Sequence, residues 1–300
     1  MEQSNSPKIN GWLLVDKPTG ITSTEIVRQI KKVLNLKKQK IGHGGTLDPL
    51  AEGLLPVAIG EATKTLNYVL NANKEYIFTI QFGMKTDSKD ITGQVLATDQ
   101  KFPTNEEIVN TLPSFLGKVK QIPPQYSAIK INGERAYNLA RKNIMVTMPT
   151  RIIEVFNLIL LEYNVEKSTI TLQAKVSKGT YIRSLAEDIA ESVGCLGTIL
   201  QLKRVSVGLK KENILISGNS LYNLRDNLTK YLVRVEDMLV DILAYTLNEK
   251  EFRSIKNGNL QCLQTQTFPQ GLLKLMFQGY IVALLESTGT NLRFVRVFNQ

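Results

Sequence analysis

Histidine is nearly missing from this sequence. His43 is the one imidazole in 300 residues, so a Ser-His-Asp or Cys-His hydrolase would have to be built on it, and a histidine-based metal site has no second ligand of that kind. Cysteine is scarce as well. Cys195 and Cys262 are the two in the chain, too few and too far apart for a disulfide framework or a zinc site, and both read as free thiols. Asp87 and Asp90 miss the EF-hand spacing and read as turn residues, so no metal is expected. No run approaches the roughly eighteen apolar residues of a membrane span. Met1 to Asn10 is polar, without the apolar centre of a signal peptide, and no strongly basic amphipathic helix stands out. The expectation is a cytoplasmic protein with no membrane partner. Nucleotide loops are missing too: Gly60-Glu61-Ala62-Thr63-Lys64-Thr65 fits neither G-x-x-x-x-G-K-[ST] nor G-x-G-x-x-G, which leaves a nucleotide cofactor unsupported.

What the chain does carry is positive charge and a sizeable apolar fraction. Lys and Arg number 37 against 27 Asp and Glu, a net charge of +10, and such a surplus favours a polyanionic partner through phosphate contacts and counterion release. With 43% hydrophobic residues over 300 positions, the length supports one large domain or one large and one small. Apolar stretches of both periods are interleaved, which predicts a mixed α and β protein.

The most informative segment runs from Lys40 to Pro56. Gly42, Gly44, Gly45 and Gly53 allow a tight path, and Pro49 biases Asp48 away from helical geometry, so one carboxylate can be presented to a cleft. The plainer reading of the same loop is a turn in which Asp48 bonds nearby backbone amides. Upstream, Gly11 to Val15 reads as a strand. Thr22 and Glu25 have capping-box spacing before a helix that buries Ile26, Val27, Ile30, Val33 and Leu34.

From Glu75 to Phe82 alternation puts Tyr76, Phe78, Ile80 and Phe82 on one strand face, with Tyr76 most simply a core aromatic. Ser168 to Val176 reads as a second strand, with Ile170, Leu172, Ala174 and Val176 on one face. Thr180 then reads as the N-cap of a helix carrying Ile182, Leu185, Ala186, Ile189 and Val193 and ending at Gly194. Arg183 falls in the first turn of that helix. An exposed pair with Glu187 is its simple explanation, but a cation there opposes the helix dipole and hints at another partner. Pro123 to Lys130, followed by Arg135, Arg141 and Lys142, interleaves aromatic and basic residues, which suits an RNA backbone or a solvated surface. After Leu243 come a helical stretch, Glu249 to Lys256, and strand-like segments Leu272 to Met276, Tyr280 to Leu285 and Leu292 to Phe298.

Taken in order, these blocks resemble the bacterial tRNA uridine-55 pseudouridine synthase (TruB) family over nearly the whole chain. The resemblance rests on Asp16-Lys17-Pro18 with Gly20, on Gly42-His43 and Gly45 to Ala51, on Gly60 to Lys64, and on Lys74-Glu75-Tyr76. Gly83, Thr86-Asp87 and Asp90 agree as well, as do Pro124 to Ala128 with Lys130 and Gly133, and Lys178 to Leu185.

It implies an α+β fold: a mixed, mainly antiparallel sheet in a catalytic domain of the pseudouridine synthase type over residues 1–243, with an RNA-contacting insertion at about 123–150. A small β-rich, PUA-like RNA-binding domain would occupy 244–300. It also implies a monomer that needs no cofactor and no guide RNA, and that converts uridine to pseudouridine in the T-loop of tRNA. Asp48 matches the nucleophile, with attack at uracil C6 and at ribose C1′ both open, and Arg183 matches its partner, which would hold it ionised. Tyr76 matches the residue that stacks on the target base and is a candidate for the late proton abstraction. Tyr181 and Leu202 match pocket lining, Lys17 and Pro18 the pocket wall, and Gly45, Thr46 and Leu47 the substrate-binding stretch. His43 matches the residue that fills the gap left by a flipped base.

Two positions depart from the family pattern: Gly44 stands where Thr is common, and Glu52 where a small or neutral residue is common. Three competing readings are a catalytic subunit of a guide-RNA ribonucleoprotein, a tRNA-folding chaperone with vestigial catalysis, and a phosphate-loop or hydrolytic enzyme. The chain lacks a long basic tail, the matched Asp48, Tyr76 and Arg183 are all in place, and the single histidine disfavours hydrolysis.

Overall fold

The computed structural model describes residues 8–142, 144–211, 215–289 and 291–299. Most of the polar stretch read for residues 1–10 lies outside the described residues. Along the chain come β1 (Gly11–Lys17), α1 (Ser23–Val33), β2 (Ile41–His43), β3 (Glu52–Ile59), α2 (Leu66–Asn71), β4 (Lys74–Phe82), β5 (Met84–Thr86) and β6 (Val95–Thr98). After α3 (Asn105–Thr111) and β7 (Gly117–Gln121), an insertion holds β8 (Lys130–Ile131), β9 (Glu134–Arg135) and α4 (Ala136–Arg141). Then follow β10 (Arg151–Asn164), β11 (Thr169–Val176), α5 (Ile182–Ser192), β12 (Gly197–Val207), β13 (Lys210–Lys211), β14 (Ile216–Ser217) and α6 (Leu221–Leu224). The tail contributes β15 (Leu243–Thr246), α7 (Glu249–Lys256), β16 (Gly271–Phe277), β17 (Tyr280–Ser287) and β18 (Leu292–Val297).

The large sheet runs β14-β1-β3-β12-β4-β11-β10-β7, with β13 beside β12 and β2 beside β3. Its pairs are antiparallel except β1 with β14 and β3 with β12, so the expected mixed, mainly antiparallel sheet is the one found. Strand β1 shows why it lies centrally. Leu13 and Val15 pack into a core with Ile26 and Ile30 of α1 and Leu185, Ala186 and Ile189 of α5. The alternate residues Trp12 and Leu14 pack instead with Ile281, Leu284 and Phe298 of the C-terminal sheet. Alternation with both phases apolar is what a strand covered on both faces requires.

The predicted strands and helices are present, with informative differences. Thr22 caps α1, accepting from the Glu25 N–H at 3.1 Å. The reciprocal half of the box does not form, because the Glu25 carboxylate turns to Arg28 at 2.6 Å and to Gln29 at 3.2 Å. Ile26 and Ile30 are fully buried, whereas Val27, Val33 and Leu34 only border the core. Helix α5 ends as expected before Gly194 (φ 69°). Its cap differs from expectation: Tyr181, not Thr180, is the N-cap, and the Thr180 hydroxyl bonds back to the Ser177 carbonyl at 3.0 Å. In the tail, α7 spans the residues expected, and β15 is an element the reading missed. Its first residue, Leu243, pairs with Leu273 of β16, so a boundary after 243 falls one residue inside the second sheet. Among the described residues no helix is long and apolar enough to cross a membrane.

One close approach fixes the geometry around the Asp48 loop. Gly53 (φ 97°) pairs with Arg204 across the parallel β3–β12 contact, and a Cβ there would stand 2.4 Å from the Arg204 carbonyl oxygen. Gly53→Ala therefore combines left-handed strain with a backbone clash, and is expected to cost about 2 kcal/mol or more. Urea unfolding measures this, and a loss well under about 1 kcal/mol would show that the contact relaxes freely.

Candidate active site

The loop between β2 and β3 is held from three sides. Ser23, at the start of α1, accepts from the Leu47 N–H at 2.8 Å and donates to the Leu47 carbonyl at 3.0 Å. The Gly20 N–H donates to the Pro49 carbonyl at 2.8 Å, and the Ala51 N–H to the Asp48 carbonyl at 3.0 Å. Lys17, wholly buried, directs its ammonium at the carbonyls of Pro18 and Ile21, both at 2.8 Å, and of Pro49 at 3.4 Å. Burial lowers the Lys17 pKa to about 8, against the pull of Asp48 and Glu52 towards the charged form.

With its backbone so fixed, Asp48 does not fold back as a simple turn former. Its Oδ2 lies 2.9 Å from Nε of Arg183, off the line of the Nε–H bond, which makes this an ion contact rather than a formed hydrogen bond. Arg183 is not the exposed partner of Glu187 that spacing alone suggests. Glu187 is taken by Lys85 at 3.3 Å and by Lys89. The Arg183 side chain, 5% exposed, donates from Nη1 to the Ser88 carbonyl at 2.7 Å and from Nη2 to the Tyr126 carbonyl at 2.9 Å. Its Nη1 also stands 3.5 Å from Asp90 Oδ2. Asp90 is fixed in turn by Ser88 Oγ at 2.9 Å and the Thr92 N–H at 3.0 Å.

One guanidinium therefore joins the Asp48 loop, the β5–β6 hairpin and the insertion. Burial raises the Asp48 pKa above its ordinary 3.8; Arg183 opposes this and Asp90, a like charge, adds to it. The expected pull of Arg183 towards ionisation is present, but desolvation outweighs it. The Asp48 side chain is nonetheless 37% exposed, because it faces an open cavity walled by protein on its other sides.

That cavity, about 870 Å³, is lined by Gly45, Thr46, Leu47, Asp48, Tyr76, Tyr181, Arg183 and Leu202 among the residues expected from sequence. Tyr76 is both things the sequence suggested: it packs on the core and also faces the cavity. Lys17, Pro18 and His43 are not part of the lining. Lys17 braces the loop from behind, and His43 lies on β2 opposite Val57. The His43 Nδ1 is buried without a partner, and burial, aided by the charge of Arg204, lowers its pKa.

Sequence reading missed Asp90 as a partner of Arg183, and missed Arg204 altogether. Arg204 is 1% exposed, donates from Nε to the Leu54 carbonyl at 2.8 Å and from Nη2 to the Gly45 carbonyl at 3.0 Å, and lines the cavity. The available signal was a lone arginine at an inward position of β12. Lys74, also lining the cavity, caps the end of α2 through the carbonyls of Val69, Leu70 and Ala72 at 3.1, 2.6 and 2.6 Å. Burial lowers its pKa to about 8. Of the two departures, Gly44 has a steric reason, since a Cβ there would lie 2.6 Å from Val69 Cγ1. Glu52 is half-buried and near enough to Lys17 to favour its charge. Among the described residues no group of three or more His, Cys, Asp and Glu side chains could hold a metal ion.

Comparison with known proteins gives the family and the fold. Residues 31–182 match the family described as "TruB family pseudouridylate synthase (N terminal domain)". The chain is 40% identical over 291 residues to "tRNA pseudouridine synthase B" of Rickettsia akari (strain Hartford), covering 97% of this chain and 99% of that protein. The protein of the same name from Zymomonas mobilis subsp. mobilis (strain ATCC 31821 / ZM4 / CP4) is 41% identical over 301 residues, covering 99% and 98%. The chain belongs to the TruB family of pseudouridine synthases. Its fold is shared by the solved "Crystal Structure of a Cbf5-Nop10-Gar1 Complex", with a TM-score of 0.70, 24% identity, and coverage of 96% of this chain and 84% of that one. It is shared too by the "Structure of H/ACA RNP bound to a substrate RNA containing 2'-deoxyuridine", with a TM-score of 0.71, 22% identity, and coverage of 97% and 85%.

Within this candidate site the Ser23 clamp can be tested. Ser23→Ala strips Leu47 of both bonds to the Ser23 hydroxyl and is expected to cost about 1–3 kcal/mol. Turnover should fall with it, because the next residue is Asp48. Chemical unfolding alongside single-turnover kinetics checks this, and an unchanged rate would show that the clamp does not set the Asp48 geometry.

Proposed function

We propose that the protein isomerises uridine 55 in the T-loop of tRNA to pseudouridine, as a monomer in the cytoplasm and without cofactor or guide RNA. The observation that carries the reading is the ion contact of 2.9 Å between Asp48 and the buried Arg183 at the wall of an 870 Å³ cavity. The names of the TruB relatives support tRNA as substrate, and the net charge of +10 suits a polyanion. The target base is stacked within the folded T-loop, so it must be flipped out before it can reach Asp48. His43 ends β2, two residues before the cavity-lining Gly45, and is the candidate to fill the vacated stack.

The reaction breaks the N1–C1′ bond, turns the uracil and joins C5 to C1′; C5 gives up its proton and the freed N1 takes one up, so substrate and product are isomers. Redox chemistry and ATP have no part in that balance. Asp48 is the nucleophile, at uracil C6 or at ribose C1′, since a carboxylate can form a covalent intermediate at either electrophile. Arg183 supports the ionised carboxylate. Tyr76, on β4 and facing the cavity, stacks on the base and is the candidate to take the C5 proton. Tyr181 and Leu202 complete the apolar walls.

Tritium release from a tRNA transcript labelled at uracil C5 tests the proposal. Wild type should release tritium from the intact transcript and none when the T-loop uridine alone is left unlabelled. Asp48→Asn should bind the transcript nearly as tightly yet turn it over at least about a thousandfold more slowly. Tight binding by wild type without release would point to a folding or binding role instead, and turnover by Asp48→Asn would remove Asp48 as nucleophile.

A further inference from the structure

The turn that delivers Tyr181 to the cavity is pinned by two strands that do not themselves reach the cavity. Ser177 ties it to β10: its N–H donates to the Glu154 carbonyl at 2.8 Å, and its hydroxyl accepts from the Glu154 N–H at 2.9 Å. Gln121, the last residue of β7 and 2% exposed, grips Tyr181 at both backbone groups. Its Oε1 accepts from the Tyr181 N–H at 2.9 Å, and its Nε2 donates to the Tyr181 carbonyl at 3.0 Å. Tyr181 heads α5 without a side-chain cap of its own, so the orientation of the residue that opens the helix is set from another strand. Arg151 begins β10 and is the register partner of Gln121. Its guanidinium carbon lies 5.4 Å from the centroid of the Tyr181 ring, and its Nη1 donates to the Gly179 carbonyl at 3.3 Å.

The backbone of Tyr181 is thus held by an amide and its ring face by a guanidinium, both from neighbouring strand positions. Gln121 and Arg151 are not part of the cavity lining, whereas Tyr181 and Gly179 are, so they act on a bound base through the turn that carries Tyr181.

We propose that Gln121 and Arg151 are a positioning pair that fixes the Tyr181 ring and through it the plane in which the target uracil is held beside Asp48. This rests on the reading of Tyr181 as a wall of the base pocket. A planar guanidinium suits the task because it can lie along an aromatic face and still donate to a carbonyl, which an ammonium does less well. Arg151 also borders a second hollow of about 450 Å³ with Lys178, and a phosphate contact through that hollow is the rival role.

The test compares kcat, KM and the salt dependence of KM on a tRNA transcript for Arg151→Met, Arg151→Lys, Gln121→Glu, Tyr181→Leu and the double variant Arg151→Met with Tyr181→Leu. Thermal unfolding is followed for each. Arg151→Met should lower kcat about tenfold, with KM within about twofold of wild type and an unchanged salt slope, since misplacement of a positioning group costs rate rather than backbone affinity. Arg151→Lys should recover little of the loss, and the double variant should be no slower than Tyr181→Leu alone. Gln121→Glu keeps the acceptor and loses the donor, and should lower kcat in the same sense. If it fails to fold, Arg151→Met, at a half-buried position, decides alone. A raised KM with a salt slope reduced by about one, restored by Arg151→Lys, would overturn the proposal in favour of a phosphate contact. A wild-type kcat in Arg151→Met while Tyr181→Leu is slow would overturn it too. A wild-type kcat in Tyr181→Leu would overturn the pocket reading beneath it.

Discussion

A guanidinium buried among carbonyls and two carboxylates is the constraint around which this molecule is arranged. Burying such a cation is costly unless it is answered, and the Nη donors of Arg183 are met by Ser88, Asp90 and Tyr126, far apart in sequence, while the Asp48 carboxylate stands in ion contact with Nε at 2.9 Å. Meeting them brings the Asp48 loop, the β5–β6 hairpin and the insertion to one point at the start of α5. The cavity is the space those segments leave between them. Arg204 repeats the device from β12, tying the Gly45 and Leu54 carbonyls to that strand.

Electrostatics in the site follow from that packing. Asp48 faces an attractive charge in Arg183 and a repulsive one in Asp90, while burial favours its neutral form, and the sum moves its pKa up. A carboxylate held this way is less well solvated than one in water, and so better suited to attack an electrophile. Lys17 and Lys74, both lowered to about 8 by burial, donate to backbone carbonyls, Lys17 from behind the cavity wall and Lys74 within it, and add positive potential beside the cavity.

Much of this was legible from the chain alone where local signals were strong. β4 and β11 follow simple alternation and α7 has its complete capping box, and the Gly-rich loop singled out Asp48. β10 gave no such signal, because its register slips at Val155 to Asn157 and again at Leu160 to Glu162, which breaks the alternation in a strand of 14 residues. β15 is short and largely exposed, and exists because β16 offers it an edge. Thr180 has the chemistry of an N-cap, but its hydroxyl turns back to the Ser177 carbonyl and the helix opens one residue later at Tyr181, whose backbone Gln121 holds from across the sheet. Asp90, Arg204 and Gln121 take their roles from partners between 60 and 159 positions away, and local pattern carries no trace of such contacts. Composition could suggest a polyanionic partner, while the order of motifs suggested the family.

The measurement that bears most directly on the role of Arg183 is the pH dependence of the single-turnover rate on tRNA in wild type and in Arg183→Met. With Asp48 as the proposed nucleophile, the rate should fall as pH drops through its raised pKa, placing the acid limb above the ordinary 3.8. Removing the guanidinium takes away the main influence that lowers that pKa, so in Arg183→Met the limb should move to higher pH by about one unit or more, along with a loss of rate. An acid limb at or below the ordinary aspartate value in wild type, or one that stays in place when Arg183 is removed, would contradict the account.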